Sequence, residues 1–233
     1  MSKHWAVVPA AGSGRRMGSE IPKQYLPLNG RSILATTIDV LASHPQIGGV
    51  TVAVSRSDEH WARLAQTLGG EVKAVIGGAE RCHSVLACLK SIAEVAAPED
   101  WVFVHDAARP CLRHEDIDAL IGALETEPVG AILAAPVRDT LKRAAHDNRI
   151  DETIDRSNAW YALTPQVFRL ASLIDAIEAA LDSGIVVTDE AQAIERLGQQ
   201  PKLVAGAADN IKVTRPEDLR LAEIFLKIQR GEC

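Results

Sequence analysis

The stretch Pro9-Ala10-Ala11-Gly12-Ser13-Gly14-Arg15-Arg16-Met17-Gly18 is built from residue types that can hold an anion. Small residues let backbone N–H groups approach a polyphosphate, and glycines allow the sharp turns that such a cradle needs. Arg15, Arg16 and then Lys23 add cationic donors. Two familiar cradles fit poorly. A Walker loop requires a Lys after its last glycine, and here Ser19 follows Gly18. A dinucleotide fingerprint requires a third glycine where Met17 stands, and an acid near the end of the second strand, where Ser55-Arg56 is found. The loop is longer and more basic than a dinucleotide turn, as suits a triphosphate. The bland alternative is a tight turn with solvated arginines.

Two further segments carry charge beside apolar runs. Val102-Phe103-Val104 leads directly into His105-Asp106-Ala107-Ala108-Arg109-Pro110. A strand ending in Asp places a carboxylate at the ligand edge of a sheet. Magnesium takes one or two carboxylates together with phosphate oxygens and water, so Asp106 suits it. Arg109 can pair with a phosphate. Asp106 could equally cap a helix, and Arg109 could form a surface ion pair. His105 reads as structural, or as a support to its neighbours, rather than as catalytic. In Ala208-Asp209-Asn210-Ile211-Lys212-Val213-Thr214, Asp209 could be a second metal ligand and Lys212 a point charge for a substrate phosphate. Standing alone, the pair would read as a turn Asp and a solvated Lys.

The elements that must position these residues follow from the apolar pattern. Trp5–Val8, Val50–Ser55, Val72–Ile76, Trp101–Val104 and Ala131–Val137 are short, continuous apolar runs, as in strands buried on both faces. Amphipathic segments separate them; Val85, Leu89, Ile92 and Ala96 share one face of a helix starting near Ser84. Alternation of this kind implies an α/β fold, a mainly parallel twisted sheet with helices on both faces, and ligands gathered beyond the carboxyl ends of its strands. Helices are expected at Phe168–Leu181 and Asp189–Leu197, and strands at Lys202–Val204 and Ile211–Val213. Pro216, Glu217 and Asp218 open a last helix with an apolar stripe of Leu221, Ile224, Phe225 and Ile228. Residues 138–156 break the pattern. They read as a hairpin, TLKRA and ETIDR, with too few large apolar residues to be stable alone. A projecting β-arm packed on a second subunit is expected, the alternative being a surface hairpin on its own domain. Residues 1–233 are expected to form a single domain carrying this arm.

Bulk properties narrow the function class. The chain has 233 residues, 47% of them hydrophobic, enough for a packed core. A net charge of -6 argues against a surface built to wrap nucleic acid. No apolar run reaches the ~20 residues of a membrane helix, and the N-terminal segment lacks the pattern of a secretory signal. Cys82, Cys88, Cys111 and Cys233 show no CxxC pairing, so reduced thiols in a cytoplasmic protein are expected.

The runs PAAGSGRRM, PKQY, GGAERCHSV, VHDAARP, APVRDTLKR, ALTPQ, TDEA and ADNIKVTRPEDL, in this order and spread over nearly the whole chain, resemble the 2-C-methyl-D-erythritol 4-phosphate cytidylyltransferase family. The resemblance implies a Rossmann-like nucleotidyltransferase fold, a homodimer with exchanged β-arms, and Mg2+ as cofactor. The implied reaction transfers CMP from CTP to the erythritol phosphate in non-mevalonate isoprenoid biosynthesis. It also implies roles. Ala10, Ala11, Gly12 and Gly14 would line the CTP site, with Gly78 and Ser84 reading cytosine. Arg16 and Lys23 would be catalytic. Asp106 would hold magnesium with Asp209 as helper. Arg109, Thr140, Arg156, Lys212, Thr164 and Thr188 would surround the acceptor, with Arg156 coming from the other subunit. Ala79 departs from the pattern, which implies an Asp there. The acceptor phosphate, with a second pKa of ~6, is its own nucleophile, so no Ser/His/Asp triad is required. Cations and loop amides must instead neutralise two converging polyanions. A ribitol 5-phosphate cytidylyltransferase is the nearest rival. An NAD-dependent oxidoreductase and a nucleotide-sensing module are more distant ones.

Overall fold

A computed structural model describes residues 3–12 and 21–232. Seven strands form the main sheet, in the order β5 (Val72–Ile76), β4 (Ile47–Val54), β1 (His4–Pro9), β6 (Trp101–Val104), β10 (Trp160–Arg169), β7 (Gly130–Pro136) and β11 (Lys202–Ala205). Neighbours run parallel except around β10, which is antiparallel to both β6 and β7. The expected mainly parallel α/β sheet is therefore present, with one reversed strand inside it.

The two-residue period of the strands sorts their side chains to opposite faces. Val7, Val102, Val104 and Phe168 pack with α3 (Arg81–Ile92), α5 (Leu170–Asp182) and α6 (Glu190–Arg196) on one face. Ala6, Val8, Trp101 and Phe103 pack with α1 (Ile33–Ala42) and α4 (His114–Ala123) on the other. Trp61 and Leu64 of the short α2 (Trp61–Ala65) lie against the second core. A smaller core of Leu28, Cys111, Val213, Ala222 and Leu226 docks α7 (Pro216–Gln229) near the minor pair β2 (Pro27–Leu28) and β3 (Arg31–Ser32). Pro216 opens α7 as expected, and the Asp218 carboxylate accepts from the Thr214 and Arg215 amides at 2.8 and 2.9 Å.

Three expectations are corrected. Phe168 does not open a helix; it is the next-to-last residue of a ten-residue strand, facing Val102, and α5 starts at Leu170. Its continuous apolar context fits either element, and pairing with two flanking strands decides it. Ile211–Val213 is not a strand; Val213 N–H donates to the Ala108 carbonyl at 2.8 Å, a single tether. β4 starts at Ile47, three residues before Val50, and ends at Val54, so Ser55 lies outside it.

Between β7 and β10 the chain leaves the sheet as β8 (Leu141–Ala144) and β9 (Ile150–Ile154), which pair only with each other. Most of this hairpin is exposed, Ile150 included. Val137 N–H donates to the Ala159 carbonyl at 2.9 Å and closes its base. None of the described helices is long and apolar enough to cross a membrane.

Candidate active site

β1, β5 and β6 are mutually aligned through the parallel pairs of the sheet, so the residues that follow them emerge at one edge. There a cleft of about 340 Å³ is lined by residues from every charged segment: Ala10, Ala11, Gly12, Lys23, Gly78, Ser84, Asp106 and Lys212 are all at its wall. Gly14 and Arg16 lie outside the described residues.

The loop entrance is tightly packed. Ala10 N–H continues the ladder of the sheet by donating to the Ala53 carbonyl at 2.8 Å. A Cβ on Gly77 would lie 2.6 Å from the Ala11 Cβ, which no side chain tolerates, so glycine there lets the end of β5 close on the loop. Gly78 N–H donates to Ser84 Oγ at 3.2 Å, and Ser84 Oγ donates to the Glu80 carbonyl at 3.3 Å. Ser84 thereby fixes the backbone of the 77–80 strip to the first turn of α3. Ala79 is exposed beside it, so the strip faces solvent there without a charged side chain.

Asp106 is the centre of a charge cluster. Oδ1 accepts from Arg81 Nε at 3.1 Å, Oδ2 pairs with Lys212 Nζ at 2.8 Å, and Arg109 Nε stands 3.6 Å from Oδ2. Arg81 also grips the fully buried Glu190 with both ends of its guanidinium, at 2.6 and 3.0 Å. Burial alone would raise the Asp106 carboxyl pKa; Arg81, Lys212 and Arg109 overcome it and hold the group well below the usual carboxylate range. Formal charges leave the cluster with one net positive charge, three cations against two carboxylates, at the place where a polyanion would arrive.

Behind the cluster lies a buried polar network. His105 Nε2–H donates to the Arg109 carbonyl at 2.9 Å, which requires Nδ1 to accept from Thr164 Oγ1–H, also at 2.9 Å. Thr164 Oγ1 in turn accepts the Asp106 amide at 3.1 Å. Burial pushes the His105 pKa down to about 4, so the ring is neutral. Arg109 Nη1 donates to the Asn210 carbonyl at 2.7 Å, and Asn210 Nδ2 donates to the Thr164 carbonyl at 2.8 Å. The structural reading of His105 agrees with this geometry.

The other expected residues are placed less uniformly. Asp209 does not join Asp106: its carboxylate pairs with Arg113 and accepts from Gln229 Nε2, and it is absent from the wall of the cleft. Arg109 and Thr164 are buried behind the cleft rather than lining it. Thr188 is exposed and bonds Gln192 through its amide and hydroxyl. Arg156 and Thr140 meet on the arm, Nη1 to Oγ1 at 3.5 Å, outside the cleft wall.

Arg81, Glu190, Gln24 and Gly77 were not singled out from the sequence, although each lies within or beside a quoted run. Arg81 and Glu190 are separated by 109 residues, and no local pattern pairs them.

Asp106 offers a single carboxylate, ionised and at the cleft wall. Among the described residues no group of three or more His, Cys, Asp and Glu side chains is disposed to hold a metal. This donor set fits a magnesium ion held mainly by nucleotide phosphates, with one protein carboxylate, and does not fit a protein-only metal cage.

The family model for 2-C-methyl-D-erythritol 4-phosphate cytidylyltransferase matches residues 4–228. A protein of that name from Shewanella halifaxensis (strain HAW-EB4) is 55% identical over 95% of both chains. Another from Vibrio parahaemolyticus serotype O3:K6 (strain RIMD 2210633) is 50% identical over 99% of this chain and 98% of the relative. Among solved structures, the Francisella tularensis 2-C-methyl-D-erythritol 4-phosphate cytidylyltransferase superposes with a TM-score of 0.84 at 34% identity, covering 96% of this chain and all, 100%, of the other.

Proposed function

The chain belongs to the 2-C-methyl-D-erythritol 4-phosphate cytidylyltransferase family, and from that premise we propose how its residues divide the reaction. It is an enzyme that transfers CMP from CTP to 2-C-methyl-D-erythritol 4-phosphate and releases pyrophosphate, a step of isoprenoid precursor biosynthesis. The observation that carries the assignment of roles is the convergence of Ala10–Gly12, Lys23, Gly78, Asp106 and Lys212 on one cleft.

The acceptor phosphate attacks the α-phosphorus in line, its oxygen forming the new P–O bond as pyrophosphate leaves. Lys23, with Arg16, neutralises charge that grows on the transferred group and leaving pyrophosphate. Backbone amides of residues 10–14 hold the triphosphate, and the Gly78 strip, anchored by Ser84, reads cytosine. Mg2+, when bound by the nucleotide phosphates and Asp106, supplies further neutralisation of charge. Asp209 has no part in this site. Lys212 takes the acceptor phosphate, and Arg109 supports it by fixing the Asn210 backbone. Thr164 acts from behind the site, through His105 and the Asp106 amide. Thr188 stands at the acceptor side.

The exposed hairpin supports a homodimer with exchanged arms. Arg156 and Thr140 lie on it, and neither is among the described residues at the cleft wall. Each site would then be completed by the other subunit's arm, while the rest of the chain acts as one nucleotidyltransferase domain. Buried free thiols at Cys82, Cys88 and Cys111 agree with a reducing, cytoplasmic setting.

The test is pyrophosphate release from CTP with the erythritol phosphate or ribitol 5-phosphate as acceptor, with magnesium or with a chelator. Release with the first acceptor only, and only with the metal, is expected. Equal turnover of ribitol 5-phosphate would overturn the division of acceptor contacts, and full turnover under chelation would remove magnesium.

A further inference from the structure

Gln24 follows Lys23 on a single 3-10 turn, Lys23–Tyr25, and is almost completely buried. Its side-chain nitrogen reaches two backbone carbonyls of the phosphate loop, Ala10 at 2.7 Å and Gly12 at 3.1 Å. Both partners can only accept, so the NH2 end of the amide must face them. The orientation of the side chain is therefore fixed by chemistry.

This contact has a consequence for the loop amides. Across a planar trans peptide the C=O of one residue and the N–H of the next point in opposite directions. With the Ala10 carbonyl held by Gln24, the Ala11 N–H is turned away from Gln24. That N–H has no partner among the described residues, and Ala11 lines the cleft. Amides that must be ordered on binding cost affinity. A two-pronged donor from the protein interior removes part of that cost before the nucleotide arrives.

We propose that Gln24 is a positioning residue that pre-sets residues 10–12 to receive the CTP phosphates. The same short turn delivers Lys23 to the cleft, so one element sets both the amide cradle and the catalytic cation. The proposal rests on the reading that residues 10–12 lie against CTP.

The test uses the full-length protein with magnesium. CTP affinity is measured by calorimetry, with Tm recorded alongside. Gln24→Leu removes both donors, and the Kd for CTP is expected to rise about tenfold or more. The KM for the acceptor at saturating CTP should stay within about twofold of the parent value, since nothing at the acceptor side changes. Gln24→Glu keeps the shape. Ionised, it opposes a carboxylate to two carbonyl oxygens; protonated, it restores one donor. Its CTP affinity relative to the parent is expected to improve as pH falls and to worsen as pH rises.

A merely structural amide would lower Tm while leaving CTP affinity of the folded protein unchanged and the affinity ratio of Gln24→Glu flat with pH. Either finding overturns the proposal, and if Gln24→Leu fails to fold, the pH ratio decides alone. Gly12→Leu separates the strut from the reading beneath it. Among the described residues no atom lies within 4 Å of a Cβ there and the backbone is not left-handed, so leucine meets no described neighbour at its Cβ while it obstructs the cleft. Lost CTP binding in Gly12→Leu with parent-like binding in both Gln24 variants overturns the strut alone. Parent-like binding in Gly12→Leu overturns the placement of CTP against the loop, and the strut with it.

Discussion

Ion pairs occur both at the carboxyl edge of the sheet and on the β8–β9 arm, and they do different physical work. At the edge, the side chains of Arg81, Asp106 and Glu190 are 26, 10 and 2% exposed. On the arm, the Arg143 and Glu152 side chains are 60 and 51% exposed, and Arg149 pairs with Asp147 in the open. Solvated pairs contribute about 0–1 kcal/mol each. Buried ones offset a large desolvation cost only when their geometry is fixed, so breaking one is far more damaging than its presence is stabilising. Among the described residues, the pairs at the sheet edge are held by burial and drawn from one chain. The arm is ordered by its own ladder and by solvated side-chain pairs, Arg156 with Thr140 among them.

The largest loss is expected at Lys23. Lys23→Ala is expected to lower turnover by ~10²-fold or more while CTP affinity changes much less, because the charge it neutralises grows during the reaction. Single-turnover kinetics beside calorimetric CTP binding check this, and a loss confined to binding would move Lys23 out of the chemistry. Asp106→Asn should come next. It leaves Arg81, Lys212 and Arg109 facing one another without their shared anion. A stability loss of about 3–5 kcal/mol, seen in denaturant unfolding, and a drop in turnover of roughly tenfold are expected. No such cost is expected for Glu152→Gln on the arm, at most about 1 kcal/mol. Equal losses at the two sites would erase the distinction.

Arg156→Ala probes the arm. The KM for the acceptor should rise about tenfold with that for CTP unchanged, as for loss of a contact made equally to ground and transition states. A mixed dimer of one Lys23→Ala chain and one Arg156→Ala chain then asks where Arg156 acts. With exchanged arms, one of its sites carries both changes and the other carries neither, so about half the parent activity should return at low acceptor concentration. If each arm serves its own chain, no intact site exists and activity stays near one twentieth, roughly half of a tenfold-weakened site.

Legibility from sequence followed the range of the signal. The buried strands β1 and β6 were visible because a sheet covered on both faces needs continuous apolar runs. The strand β10 was not, because Val167 and Phe168 lead directly into the amphipathic α5, and only pairing with β6 and β7 separates the two. The hairpin was legible as a lack, two strand-like runs without a core. Asp106, Lys23 and Lys212 were visible at the ends or flanks of recognisable runs, and the cleft gathers them. A charge near a strand edge says nothing of direction, and Asp209 is set apart from Asp106, with its Oδ2 held by Arg113 and Gln229. Arg81 with Glu190, and Gln24 with the loop, are contacts at distance or within a turn that no periodicity marks.

The smallest effect concerns the support behind the nucleotide end. His105 is neutral and wholly buried, with its pKa lowered by burial from 6.5 to about 4. The unfolded chain therefore binds a proton between those values that the folded chain refuses. Its contribution to stability is full above about pH 6.5 and is lost as pH falls toward about 4, by an amount on the order of 3 kcal/mol. His4 and His44 are lowered as well and titrate in the same sense, so the whole slope is not His105's. The difference between the parent and His105→Gln isolates it. Glutamine can donate to the Arg109 carbonyl and accept from Thr164 without titrating. Unfolding free energy measured from pH 7 to pH 4.5 should fall less steeply in the variant. Parallel slopes would mean that the imidazole accepts its proton in the folded state and that the network through Thr164 to the Asp106 amide survives it.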